Sequence, residues 1–82
     1  MRARIVIRLR PGVLDPQGTT IRKALESLGF PEVRELRVGR VLELTLDVTD
    51  RTRAQARLDE MCRKLLANPV IEDYTVELDD TP

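Results

Sequence analysis

Residues 33–48 read V-R-E-L-R-V-G-R-V-L-E-L-T-L-D-V and form two runs in which apolar and polar residues alternate. The runs flank Gly39-Arg40, and a glycine at the first position of a two-residue loop is typical of a type II′ hairpin turn. The stretch therefore predicts two antiparallel strands joined by a tight turn. The core-facing residues of the second strand would be Leu42, Leu44, Leu46 and Val48.

A strand and a helix are predicted before this hairpin. Residues 4–10, R-I-V-I-R-L-R, alternate with period two, and Pro11-Gly12 ends the run. Asp15-Pro16 is a typical helix start, because Asp caps free backbone N–H groups and Pro suits the first helical position. Gly29 is suited to the end of this helix. The apolar stripe of the helix comprises Ile21, Ala24, Leu25 and Leu28.

A second helix and a last strand are predicted after the hairpin. Thr49 or Asp50 can cap the helix, and Asn68-Pro69 ends it. Residues 70–78 alternate again and predict a strand, and residues 79–82 are expected to be a frayed tail. The order βαββαβ indicates one α+β domain spanning residues 1–82. Its two helices would lie on one face of a mostly antiparallel four-stranded sheet, in the ferredoxin-like arrangement.

The charges of the chain favour the pairing of its first and last strands, which are neighbours in that arrangement. Residues 1–40 carry nine basic and four acidic side chains, whereas residues 41–82 carry five basic and ten acidic ones. Each cross-strand ion pair contributes about 0.2–1 kcal/mol, so such pairs select the register more than they stabilise the sheet. The outer face would be either solvated or an adjustable docking surface. The expected partners are Arg4, Arg8 and Arg10 on one strand and Asp73, Glu77 and Asp79 on the other.

Composition excludes several classes of function. The 82 residues include no His or Trp, one Cys, one Tyr and one Phe, and the formal net charge is zero. One chain therefore cannot build the common zinc, haem or Cys-His sites. Neutral charge and few aromatics argue against nucleic-acid and membrane partners. A single Cys and no segment typical of a signal peptide or membrane span favour a cytoplasmic location. Cys62 falls in the apolar stripe of the second helix and is expected to be structural.

The small core predicts association with other chains. A domain of about 80 residues rarely gains more than about 3–5 kcal/mol from one core, and the disulfide or metal that often supplements it is missing here. Two connections are also unusually apolar, at Val13-Leu14 and over residues 65–71. Connections normally lie on the surface. These side chains therefore either pack on the core at a corner or contact another chain.

Four segments resemble the PurS family, the small subunit of phosphoribosylformylglycinamidine synthase. They are P-G-V-L-D-P-Q-G at 11–18, L-G-F at 28–30, L-R-V-G-R at 36–40 and M-C-R-K-L-L-A-N-P-V-I-E-D-Y at 61–74. The resemblance spans nearly the whole chain. It implies a non-catalytic subunit that binds no cofactor, forms a homodimer or higher homo-oligomer and brings a glutaminase subunit onto a large synthetase subunit. That synthetase uses ATP and Mg²⁺, and ammonia passes between the two enzymes.

The family motifs supply ten candidate positions, each either a structural loop residue or a docking residue. An alternative function is that of an ACT-like regulatory module, in which a βαββαβ domain binds a small molecule at a dimer interface. That function requires a glycine-rich turn after the first strand, and residues 11–18 could loosely serve. The ten positions are Pro11, Gly12, Val13, Leu14, Asp15, Pro16, Gly18, Asn68, Pro69 and Val70.

Overall fold

The computed structural model describes residues 1–79. The strand β1 spans Arg2–Leu9, the helix α1 spans Pro16–Ser27 and the strand β2 spans Arg40–Thr45. The helix α2 spans Arg51–Met61 and continues as a short π-helix, Cys62–Leu66, before the strand β3, Glu72–Asp79. Asp79 thus ends a strand, and the rest of the predicted tail lies outside the described residues. None of the described helices is long and apolar enough to cross a membrane.

The sheet has three strands in the order β2-β1-β3, and both pairs are antiparallel. The predicted charge pairing is confirmed for Arg4, which lies opposite Glu77, and for Arg8, which lies opposite Asp73. Arg10 Nε also lies 3.5 Å from the carboxylate of Asp73. Asp79 lies opposite Arg2 instead of one of the three predicted arginines. The prediction that the first and last strands are neighbours is therefore correct.

One face of this sheet carries the core. Ile5 and Ile7 of β1 are fully buried beneath Leu58 of α2 and Cys62. The predicted core face of β2 is confirmed by Leu42, which packs half-buried against this cluster. The other half-buried members are Leu44, Leu46, Met61, Leu66, Tyr74, Val76 and Leu78. Cys62 is thus a core residue, as predicted, and burial raises the pKa of its thiol.

The predicted hairpin and four-stranded sheet are not confirmed within residues 1–79, where the sheet has three strands. No turn forms at Gly39-Arg40, and residues 33–39 pair with no strand among residues 1–79. The backbone is held elsewhere: Val38 N–H donates to Asp15 Oδ2 at 2.8 Å. Gly39 lies so close to β1 that a Cβ there would come within 2.8 Å of Ile7 O. These contacts carry the chain into β2 without reversing it.

The prediction that both helices cover the sheet holds for α2 and fails for α1. Helix α1 begins at Pro16 and is capped by Asp15 as predicted, but Gly18 is its only buried residue. Ile21 is 39% exposed and Leu28 is 72% exposed. Helical periodicity therefore predicted the helix correctly. Its apolar stripe, however, packs against no surface within residues 1–79.

Residues 16–38, called the arm below, make the molecule elongated. Its principal extents are 49 × 28 × 14 Å and its radius of gyration is 16.3 Å. A compact chain of this length would have a radius of gyration of about 12 Å. The arm comprises α1, the turn after it and the unpaired segment 33–38, and it leaves the sheet at the end where β1 finishes.

Candidate functional site

The two segments that contain the ten candidate positions, 11–18 and 68–70, lie together at one end of the sheet. Residues 11–18 follow the last residue of β1, and residues 68–70 precede the first residue of β3, where Leu9 and Glu72 are paired. Arg10 joins the two segments, because its backbone N–H donates to Ile71 O at 2.8 Å and its Nη2 donates to Pro69 O at 2.7 Å. Residues 10–18 and 66–72 are called the loop end below.

Asp15 fixes the arm to the loop end. Its carboxylate is buried, and Oδ1 accepts the Gly18 N–H at 2.9 Å while Oδ2 accepts the Val38 N–H at 2.8 Å. The hydrogen bond from Gly18, followed by that from Val38 and the nearby Arg37 charge, holds the pKa of Asp15 below its ordinary value of 3.8. The cap to the helix was predicted from sequence, but the bond to a residue 23 positions away was not.

Gly18 is required by the close approach of the arm's two segments. A Cβ at this position would collide with Leu36 O and would come within 2.8 Å of Asp15 Oδ2. The Asp15 carboxylate is fixed by its hydrogen bonds to Gly18 and Val38, and Val38 lies two residues after Leu36. Gly18 and Pro16 are therefore structural members of the motif, with Pro16 at the first helical position.

Asn68 and Glu72 build the second half of the loop end. Asn68 Oδ1 accepts the Val70 N–H at 3.1 Å, and Asn68 N–H donates to Glu72 Oε1 at 2.7 Å. Arg40 Nη2 donates to both oxygens of Glu72 at 3.0 and 3.1 Å and to Leu66 O at 3.2 Å. The hydrogen bond from Asn68 lowers the pKa of Glu72 from its ordinary 4.5; burial opposes this shift, and the hydrogen bond and charge of Arg40 add to it. Asn68 does not adopt a left-handed backbone conformation, so these hydrogen bonds hold the corner.

These polar contacts hold large apolar side chains out in solvent. Leu14 is 78% exposed and Val70 is 79% exposed, whereas Val13 is half-buried. Leu65, on the last turn before the corner, is 82% exposed. Exposed apolar side chains grouped on a rigid backbone mark an interaction surface more often than a chemical site. Pro11, Gly12 and Pro69 are also exposed and complete the turns between these side chains.

The structure thus separates the ten predicted positions into two kinds. Asp15, Gly18 and Asn68 shape the backbone, while the side chains of Leu14 and Val70 are exposed. Sequence reasoning missed the residues whose bonds hold these segments in place, which are Arg10, Arg37, Arg40 and Glu72. Their side-chain bonds span long sequence separations, and alternating strand residues give no local signal for such bonds. Within residues 1–79 there is also no group of His, Cys, Asp or Glu arranged to hold a metal ion.

Replacing Asp15 by Asn should lower the melting temperature by an amount on the order of 5 °C at pH 7. The amide keeps one acceptor for Gly18 but points an N–H group at the Val38 N–H. The folded-state pKa of Asp15 is lowered, so the stability it gives is complete above its ordinary 3.8 and is lost as the pH falls through the lowered value. The difference between wild type and variant should shrink over that interval in thermal melts.

The matched control is Asp47→Asn, since Asp47 is exposed. Its melting temperature should equal that of the wild type at pH 7 and also at a pH below the ordinary pKa of Asp15. Equal melting of Asp15→Asn and wild type at pH 7, or a difference that grows as the pH falls, would contradict the role given to Asp15.

Comparison with known proteins identifies the family of this chain. The PurS family model, described as phosphoribosylformylglycinamidine (FGAM) synthase, matches residues 2–80. The PurS subunit of phosphoribosylformylglycinamidine synthase from Synechocystis sp. is 48% identical over 75 residues, which are 92% of this chain and 75% of that protein. These matches give no support to the ACT-like regulatory alternative.

Solved structures show the same fold. PurS of Methanocaldococcus jannaschii, a subunit of formylglycinamide ribonucleotide amidotransferase in the purine biosynthetic pathway, superposes with a TM-score of 0.87 at 37% identity, covering 99% of this chain and 98% of that one. A chain in the structure of PurLQS from Thermotoga maritima superposes with a TM-score of 0.83 at 35% identity, covering 93% of each chain. With its family model spanning residues 2–80, this chain belongs to the PurS family and is the PurS subunit of the FGAM synthase of purine biosynthesis.

Proposed function

We propose that this chain is a non-catalytic assembly subunit, which brings the glutaminase and synthetase subunits of its complex into contact. The observation that carries the proposal is the loop end, where Leu14 and Val70 are held in solvent by a fixed hydrogen-bond network. The relative from Thermotoga maritima belongs to a PurLQS assembly, which supports two larger partners for this chain.

The reaction explains why an assembly subunit is needed. The amide nitrogen of glutamine is released as ammonia at the glutaminase and is consumed at the synthetase, which uses ATP and Mg²⁺. Ammonia that escapes into water is protonated and loses its nucleophilic lone pair. Holding the two active sites in one closed assembly prevents that loss. In this proposal the small subunit binds neither ATP nor Mg²⁺ and acts by position alone, in the cytosol, where Cys62 stays reduced.

The loop end suits one of the two larger subunits. Binding energy at protein interfaces is concentrated in a few apolar side chains that enter pockets, with polar residues around them. Leu14 and Val70 have that character, and Arg10 lies between their two segments with half of its side chain exposed. Because the backbone is already ordered by Asp15 and Asn68, docking here costs little conformational entropy.

Self-association is the second part of the proposal. The apolar stripe of α1 is exposed, and one small core is a marginal source of stability. A second copy of the chain is therefore proposed as the partner of the arm, giving a homodimer. Such a dimer would present two loop ends and could contact both enzymes at once.

Mixing the three subunits with and without this chain tests the assembly role. FGAM formation from glutamine should fall to background without it, because ammonia no longer reaches the synthetase. Formation from added ammonium salt should persist, because the synthetase keeps its own chemistry. Full glutamine-dependent activity in the absence of this chain would refute the proposal.

Leu14→Asp and Val70→Asp should each weaken docking by about tenfold or more, since a charge cannot enter an apolar pocket without a large desolvation cost. The measurement is the concentration of this chain that gives half-maximal glutamine-dependent activity. Ala56→Asp, on the exposed side of α2, introduces the same charge away from the loop end and should behave as wild type. Two variants that titrate like Ala56→Asp would show that the loop end is not the docking surface.

A further inference from the structure

We infer that the larger subunit docked at the loop end presents carboxylates to four arginines, and that these ion pairs border the apolar contacts of Leu14 and Val70. The inference rests on the proposed docking of the loop end and adds the chemistry of the surface that the partner must carry. The four residues, called the arginine cluster below, are Arg8, Arg10, Arg37 and Arg40.

The arginine cluster forms one continuous surface where β1 ends. Arg8, Arg37 and Arg40 line a single cavity of about 270 Å³ between β1 and residues 37–41. No acidic side chain of residues 1–79 lines this cavity. Arg37 Nη2 also donates to Arg10 O at 3.3 Å, which places the fourth arginine next to the other three. Several positive charges are therefore concentrated in one place.

Backbone carbonyl groups help to hold the arginine cluster in position. Arg10 Nη2 donates to Pro69 O at 2.7 Å, and Arg40 Nη2 donates to Leu66 O at 3.2 Å. The hydrogen bond of Arg37 likewise ends on a carbonyl oxygen. Such an oxygen fixes a guanidinium group without carrying a formal charge that neutralises it. The side chains are thus ordered and keep their charge.

Two members of the cluster have no ion-pair partner within residues 1–79. Arg8 and Arg37 are exposed, and neither forms an ion pair there. Asp73 lies opposite Arg8 in the register of the sheet, but its carboxylate lies 3.5 Å from Arg10 Nε. An exposed guanidinium group without an ion pair offers a planar set of donors that binds a carboxylate through two parallel hydrogen bonds.

The carboxylates of the loop end are turned inward, so they present little negative charge to a partner. The loop end contains two acidic residues, Asp15 and Glu72. Asp15 is buried, and both of its oxygens accept backbone N–H groups. The Glu72 side chain is 15% exposed, and it accepts the Asn68 N–H as well as the bonds from Arg40. A partner that approaches the loop end therefore meets guanidinium groups and apolar side chains.

The arginine cluster borders the apolar side chains that are proposed to enter the partner. Arg37 lines a second cavity, of about 420 Å³, together with Leu14. Arg10 binds the carbonyl group of Pro69, the residue before Val70. Arginine is enriched at interfaces, beside apolar anchors. Because a guanidinium group that loses water without gaining a carboxylate carries a large desolvation cost, the surface that accepts the loop end must supply its own carboxylates.

Salt dependence tests this inference in the assembled complex. The measurement is the concentration of this chain that gives half-maximal FGAM formation from glutamine, at about 50 and about 300 mM KCl. That concentration should rise about threefold or more with salt, because screening weakens exposed ion pairs. Formation from added ammonium salt, measured in parallel, separates this change from any effect of salt on the synthetase itself.

Charge reversal tests the same surface residue by residue. Arg8→Glu and Arg37→Glu should each raise the half-maximal concentration about tenfold at the lower salt concentration and should make it less sensitive to salt. Arg8→Gln removes the charge without placing two carboxylates opposite each other, and it should still raise that concentration about threefold. This milder variant keeps the test valid if Arg8→Glu does not fold.

Arg53→Glu is the matched control. Arg53 is exposed in the first turn of α2, which follows the end of β2 that pairs with the start of β1. The variant changes the charge of the chain by the same amount at the opposite end of the sheet. It should titrate as the wild type does at both salt concentrations.

Three results would overturn the inference. One is wild-type titration by the Arg8 and Arg37 variants or an equal effect of Arg53→Glu. Another is a half-maximal concentration that does not depend on salt. The third is a changed mass of isolated Arg8→Glu in light scattering, which would assign the cluster to self-association. If Leu14→Asp still weakens docking in any of these cases, the assembly role stands and only the charge complement fails.

Discussion

The carboxylate of Asp15 is the constraint from which the rest of this structure follows. It is buried and accepts one N–H from Gly18 and one from Val38, so a single side chain starts α1 and also holds the backbone that leads into β2. A buried carboxylate that lost either partner would be strongly destabilised. The chain therefore leaves β1, forms α1 and returns beside it, and the arm projects from the sheet.

Local sequence patterns predicted those parts of the fold that depend on local chemistry. Period two identified β1 and β3, capping residues identified both helices, and the opposite charges of Arg4 and Glu77 matched the observed register. The hairpin prediction was wrong because it rested on a local turn rule for Gly39. In the structure this backbone is positioned by residues far away in sequence: Asp15 accepts the Val38 N–H, and Ile7 O packs against Gly39. The stripe of α1 likewise predicted a helix correctly without revealing which surface it covers.

The candidate site was predictable to a similar degree. The family motifs led to segments that lie together at one end of the sheet, and the apolar character of Val13-Leu14 left two outcomes open. In the structure the two side chains differ, since Val13 is half-buried and Leu14 is exposed. What no motif showed is that Arg10 binds the two segments into one surface.

Within residues 1–79 the arm covers none of the core and one edge of β2 is unpaired, as the proposed self-association requires. Hydrogen–deuterium exchange of the backbone amides of residues 33–37, measured at high and at low protein concentration, tests this account most directly. Those amides should be protected where copies associate and should exchange rapidly after dilution, while the amides of β1 stay protected in both cases. Equally rapid exchange of residues 33–37 at both concentrations, with a dimer present at the higher one, would contradict it.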